Sequence, residues 1–180
     1  MIALFYGGAS SGKSEIAENF AVEKNLGCGG KPLIYMATML PYSEEGKRKI
    51  VSHKRKRSGK GFEVVEQFYD IGNTPVIGGT VLFECVGNIL ANEMFCEGGI
   101  KKHVNEFILV GLKQLAAKCD NLVIVSNDLS DGGDTVTEST IRYITNLEII
   151  NKEIATNIAD EVYCVRVGIP IVKKSAIANK

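Results

Sequence analysis

The sequence predicts an α/β fold, a single domain with a mostly parallel β-sheet flanked by helices, and three observations carry that prediction. Short β-rich runs alternate with helical patterns along the 180 residues. Several of those runs are nearly continuous apolar stretches, as strands buried on both faces are. The first of them opens directly into a glycine-rich turn and a helical pattern, the strand-turn-helix order of parallel-sheet proteins.

In chain order, the candidate strands are Ile2–Tyr6, Leu33–Ala37, Phe62–Glu66, Val81–Glu84, Leu122–Ser126 and Glu161–Val167. Ile16, Ala17 and Phe20 continue the first turn as a helix. Val104, Phe107, Ile108, Leu112, Leu115 and Ala116 recur at helical spacing within a helix over 103–119, and so do Ile141, Ile144, Leu147, Ile154 and Ile158. The glycine- and proline-bearing stretches 27–32 and 72–79 are loops within one domain rather than linkers.

The turn itself has the pattern G-x-x-x-x-G-K-[ST]: Gly7, then Gly8, Ala9, Ser10 and Ser11, then Gly12-Lys13-Ser14. Small residues let the backbone curl so that successive N–H groups face phosphate oxygens, and the positive end of the helix dipole adds to the attraction. Lys13 then reaches the β- and γ-phosphates of a nucleoside triphosphate, and the Ser14 hydroxyl reaches Mg²⁺. Two acids that follow apolar runs, Glu84 and Asp128, compete for the role of supporting carboxylate, which the sequence leaves unassigned.

Hydrophobic residues make up 45% of the chain, the formal net charge is zero, and no apolar stretch approaches the ~20 residues that span a bilayer. The N-terminus has no basic segment followed by a long apolar region, so Ile2–Tyr6 is read as a strand and the protein is expected in the cytoplasm, away from membranes. Five cysteines with no C-x-x-C pair argue against a disulfide framework or zinc site, and are expected to be reduced and mostly buried.

In this neutral chain, residues 43–57 concentrate Lys47, Arg48, Lys49, Lys54, Arg55, Lys56 and Arg57 around His53. Three readings are open. A nucleic-acid patch is disfavoured because no aromatic residues are interleaved for stacking. A solvated helix face fits the acids Glu44 and Glu45 at its start. In the third reading, the cations gather round a triphosphate while an imidazole attacks phosphorus.

Taken together, these segments resemble the bifunctional adenosylcobinamide kinase/adenosylcobinamide-phosphate guanylyltransferase family from Met1 to about Lys174. Gly7 to Ser14 is similar to the family's GGARSGKS, with Ser10 where arginine is usual. "YMAT" at 35–38 resembles its Y-I-A-T, and E-x-x-x-x-I-x-x-H-K-x-x-R is matched by Glu45, Ile50, His53, Lys54 and Arg57. W-x-x-x-E is matched by Phe62 and Glu66, and "LFECVGNILANEMF" is similar to L-L-E-C followed by a helix, with Glu84, Cys85 and Asn92 in register. "VIVSND" and "ADEVYCVRVGIPIVKK" resemble the family's V-L-V-T-N-E and its closing segment. The chain departs at Ser58, at 130–135 and at 148–152, although Asn127 and Asn151 keep their family separation.

The resemblance implies one P-loop domain of RecA-like architecture over 1–174, and the remaining residues 175–180 are expected to form a flexible tail. It implies ATP, GTP and Mg²⁺ as cofactors, a corrinoid as acceptor, and a homotrimer. It casts His53 as the nucleophile that carries GMP from GTP to the corrinoid phosphate, chemistry suited to a neutral ring nitrogen near pH 7. Nucleotide contacts are implied for Gly7, Gly8, Ala9, Ser10, Ser11, Gly12, Lys13 and Ser14, for Thr38, Met39 and Leu40, for Lys54, Arg55, Lys56 and Arg57, and for Glu66 and Glu84. A kinase-only relative acting on another small alcohol and a nucleotide-binding regulator without turnover remain the alternatives.

Overall fold

The computed structural model describes residues 1–41, 48, 51, 55, 59–129 and 137–175. Along them run β1 (Ile2–Gly7), α1 (Lys13–Asn25), β2 (Leu33–Ala37), β3 (Phe62–Glu66), β4 (Thr80–Phe83), α2 (Val86–Phe95), α3 (Val104–Lys118), β5 (Asn121–Asn127), α4 (Glu138–Glu153), β6 (Glu161–Arg166) and β7 (Ile169–Lys174). The strands form one sheet in the order β3-β2-β4-β5-β1-β6-β7. The first six are parallel to their neighbours, and β7 runs antiparallel to β6.

Alternation along the strands builds two cores, because successive side chains point to opposite faces. Ala3, Phe5, Leu33, Tyr35, Leu82, Val123 and Val125 pack with Ala17 and Ala21 of α1 on one face. Leu4, Ile34, Met36, Val81, Phe83, Leu122 and Ile124 pack on the other face against α2, α3 and α4, which contribute Ile89, Leu90, Ile108, Leu112, Leu115, Leu147 and Ile150. With both faces covered, the central strands are predominantly apolar, and each fully buried large aliphatic or aromatic side chain is worth about 1.5–3 kcal/mol.

The six anticipated strands are all present, displaced by at most a residue at their ends. The seventh, β7, is an addition that sequence patterning missed. Gly168 and Pro170 read as chain breakers, but proline is tolerated on an edge strand, where its missing N–H faces no partner. The last helix also differs from its expected form. After Glu153 the backbone widens into a π-helical stretch over Ile154–Ile158, closed by Ala159 N donating to the Ile154 carbonyl at 2.8 Å. The Lys174 ammonium caps that end, 2.6 Å from the Ala159 carbonyl, as a cation at a helix C-terminus should. Ile141, which shares the helical spacing, is exposed rather than in the core.

All five cysteines are free, but only Cys85 and Cys164 are buried; Cys28, Cys96 and Cys119 are half-buried, which corrects the expectation of mostly buried thiols. No helix among the described residues is long and apolar enough to cross a membrane.

Candidate nucleotide site

Parallel strands all end on one edge of the sheet, and in such folds ligands bind beyond that edge. Here the C-terminal ends of β1, β2, β4 and β5 bring together the glycine-rich turn, Thr38, Glu84 and Asn127. The turn is gripped by its neighbours' main chains. The Gly7 carbonyl accepts from Asp128 N at 2.9 Å, and the Ser11 carbonyl accepts from Gly168 N, in the β6–β7 turn, at 2.8 Å. A side chain at Gly7 would collide with the Val165 carbonyl, so this position requires glycine. Gly12 has a φ of +89°, and a Cβ there would come within 3.2 Å of Gly168 Cα. It ends the turn in the left-handed region and hands the chain to α1 with no side-chain cap. The first amides of α1 are therefore left for an anion.

Lys13 follows at once. Its side chain is buried, with Nζ donating to the Gly8 carbonyl at 3.0 Å. Burial holds its pKa below the ordinary lysine value, with the nearby Cys85 opposing weakly. An incoming phosphate would replace the hydration that burial has removed.

The facing wall is assembled by side chains. Glu84, one residue past β4, accepts through Oε2 from the Thr38 and Met39 amides at 2.8 and 3.1 Å. The Thr38 hydroxyl lies 3.4 Å from the same oxygen and 3.2 Å from the Cys85 carbonyl. Asn92, buried in α2, donates to the carbonyls of Thr38 and Phe68 at 2.9 and 3.0 Å, joining the chain that leaves β2 to the chain that leaves β3. Behind this wall, Asn151 of α4 donates to the Asn127 carbonyl at 2.9 Å and accepts from the Ser126 hydroxyl at 2.6 Å. The two asparagines that kept their spacing in the sequence are thus direct partners. The Cys85 thiol starts α2, and burial pushes its pKa up against the N–H groups of Asn88 and Gly87 that stabilise its thiolate.

Between the turn and this wall lies a cavity of about 350 Å³ lined by Ala9, Ser10, Lys13, Ser14, Met39, Glu84, Cys85 and Asn127, among others. It unites six of the residues to which the family resemblance assigned nucleotide contacts. Thr38 is fully buried and faces Glu84. Leu40 is half-buried beyond Met39, and Glu66 is exposed at the end of β3. Arg55 is exposed on helical backbone, whereas His53, Lys54, Lys56 and Arg57 lie outside the described residues. The other histidine, His103, caps the start of α3 in the open, 3.4 Å from Glu106.

Sequence reasoning missed Glu18, a buried acid that also lines the cavity, and Lys60, its ion-pair partner at 2.8 Å. The signal for Glu18 was present: it stands one helical turn beyond Ser14 on the same face of α1. For Lys60 there was none. Mg²⁺ fits this set of donors, since the Ser14 hydroxyl and the Glu84 carboxylate share the cavity, and this ion is held by one or two protein oxygens together with phosphates.

The family model described as cobinamide kinase / cobinamide phosphate guanyltransferase matches residues 3–173. The chain belongs to this family. It is therefore an enzyme of the bifunctional cobinamide kinase/guanylyltransferase class of cobalamin biosynthesis, which uses a corrinoid and a nucleoside triphosphate. A search of curated proteins returned no match. Among solved structures, an isolated ATPase domain superposes with a TM-score of 0.52 at 13% identity, covering 97% of this chain and 76% of that one. A KaiC-like protein from the hyperthermophilic archaeon Pyrococcus horikoshii gives 0.48 at 13% identity, covering 97% and 78%. The fold of this family member is accordingly the RecA-like P-loop fold.

Proposed function

We propose that the protein phosphorylates the hydroxyl of adenosylcobinamide with ATP or GTP, and then transfers GMP from GTP to the resulting phosphate through His53. The observation that carries this reading is the family match over nearly the whole chain together with an intact phosphate turn, whose uncapped helix start and buried Lys13 face a cavity closed by Glu84. In the kinase step the corrinoid hydroxyl oxygen bonds to the γ-phosphorus and releases its proton to solvent, the bond to the β-phosphate oxygen breaks, and the nucleoside diphosphate leaves. Lys13 and the amides of Gly8 to Ser14 stabilise the charge that spreads over the phosphoryl oxygens. The Ser14 hydroxyl would hold Mg²⁺, which would supply further neutralisation of that charge.

In the second step an imidazole nitrogen of His53 bonds to the α-phosphorus of GTP and pyrophosphate leaves. The corrinoid phosphate oxygen then takes the GMP group as the N–P bond breaks. Lys54, Arg55, Lys56 and Arg57 lie beside the nucleophile in the sequence, where they would neutralise the departing pyrophosphate. By family resemblance the working unit is a cytoplasmic homotrimer, checked by light scattering at micromolar concentration. Incubation with adenosylcobinamide and Mg·GTP, followed by chromatography of the corrinoids, tests the reading. A phosphorylated product followed by a GDP-linked one is expected. Phosphorylation alone would leave a kinase without transferase activity, and no turnover would leave a nucleotide-binding regulator.

A further inference from the structure

Lys60 stands between two glycines, Gly59 and Gly61, both at positive φ (+87° and +81°). These left-handed residues turn the chain sharply just before β3 and direct the lysine onto α1. Its Nζ donates to Glu18 Oε2 at 2.8 Å and to Asn19 Oδ1 at 3.2 Å. An ammonium carries three donors, so one has no protein partner among the described residues. The cavity that this group faces, about 690 Å³, is lined also by Ser10, Gly12, Lys13 and Ser14, the residues of the phosphate turn. Glu18 is buried, and a bare carboxylate this near to the phosphates would repel them. Its lysine partner cancels that repulsion. Because Glu18 and Asn19 already fix the ammonium, recruiting it to a ligand requires little new ordering of a long side chain.

We propose that Lys60 is a further phosphate-binding residue of the nucleotide site, held over the turn by Glu18 and Asn19 and offering its remaining donor to the polyphosphate chain. The proposal rests on the nucleotide occupying the P-loop, as argued above. It adds to the site a cation that lies beyond the basic segment 43–57 in the sequence. Two roles can be told apart: a direct contact, in which the ammonium itself is needed, and simple neutralisation of Glu18, in which it is needed only while that carboxylate is charged.

Calorimetric titration of the full chain with Mg·GTP and with magnesium tripolyphosphate, which lacks the nucleoside, decides the matter for wild type and for Lys60→Gln, Lys60→Arg, Glu18→Gln/Lys60→Gln and Lys13→Ala. For both probes Lys60→Gln should bind about tenfold more weakly, the effect of one lost charge-assisted bond. The double variant should show the same loss, and Lys60→Arg should stay within about threefold of wild type. Wild-type affinity in Lys60→Gln, recovery of affinity in the double variant, or a loss confined to GTP would each overturn the direct contact. The double variant buries no lone charge, so it guards against a loss that merely reports misfolding. If Lys13→Ala binds as wild type does, the P-loop reading fails and takes this proposal with it; if Lys13→Ala is weak while Lys60→Gln is unaffected, only this proposal fails.

Discussion

Apart from the Lys13 ammonium on the Gly8 carbonyl, the phosphate turn is held by main-chain atoms, and the wall facing it by side chains. Gly7 and Ser11 are fixed through their carbonyls by Asp128 N and Gly168 N, contacts that use no side-chain atom. Thr38 and Met39 are instead fixed by the carboxylate of Glu84 and by the amide of Asn92. The difference teaches where substitution is tolerated. A turn gripped by its backbone can change an exposed side chain at the mouth of the cavity: Ser10 is exposed at a φ of +57° and stands where the resemblance places arginine. A wall built from side chains depends on the identity of each.

The largest expected effect comes from the turn residue whose side chain reaches the phosphates. Lys13→Ala should weaken nucleotide binding by about a hundredfold, because a charge-assisted contact in a partly dry site is worth several times a neutral hydrogen bond. Calorimetry with Mg·GTP reads this directly, and equal affinities would remove the phosphate-site assignment. Next come the wall residues. Glu84→Ala leaves the Thr38 and Met39 amides without their acceptor and should cost about 3 kcal/mol of folding stability, with Asn92→Ala costing about 2 kcal/mol. Urea denaturation of the nucleotide-free protein measures both. Losses below about 0.5 kcal/mol would show that the wall is not held by these side chains. Smallest is Ser10→Arg, which should shift stability by no more than about 0.5 kcal/mol. A cost as large as that at Glu84 would erase the contrast between the two regions.

The same contrast explains what was legible in the sequence. The turn is a local motif, eight consecutive residues whose spacing encodes their chemistry, and the strands bordering it declare themselves by being apolar on both faces. Glu84 with Thr38, Asn92 with Phe68, and Lys60 with Glu18 are contacts between residues 46, 24 and 42 positions apart. Nothing in local composition signals such pairings, and only the order of strands in the sheet brings them together. Glu84 was reached from its place after an apolar run and through family resemblance, Asn92 through resemblance alone, while Glu18 and Lys60 were not reached at all. Strand β7 escaped because its glycine and proline carry the composition of a loop, and the π-helical end of the last helix escaped because a wider turn leaves the apolar spacing close to that of an α-helix.

The central claim is that one chain both binds a nucleoside triphosphate at this turn and carries its guanylyl group on an imidazole. Wild-type protein and His53→Ala, incubated with Mg²⁺ and GTP radiolabelled at the α-phosphate, then denatured and separated by electrophoresis, test it most directly. The account predicts a covalent label on the wild type that is lost in acid and survives base, as a phosphoramidate does. It predicts no label on His53→Ala, with nucleotide affinity retained. A label on the variant, or none on the wild type, would contradict it.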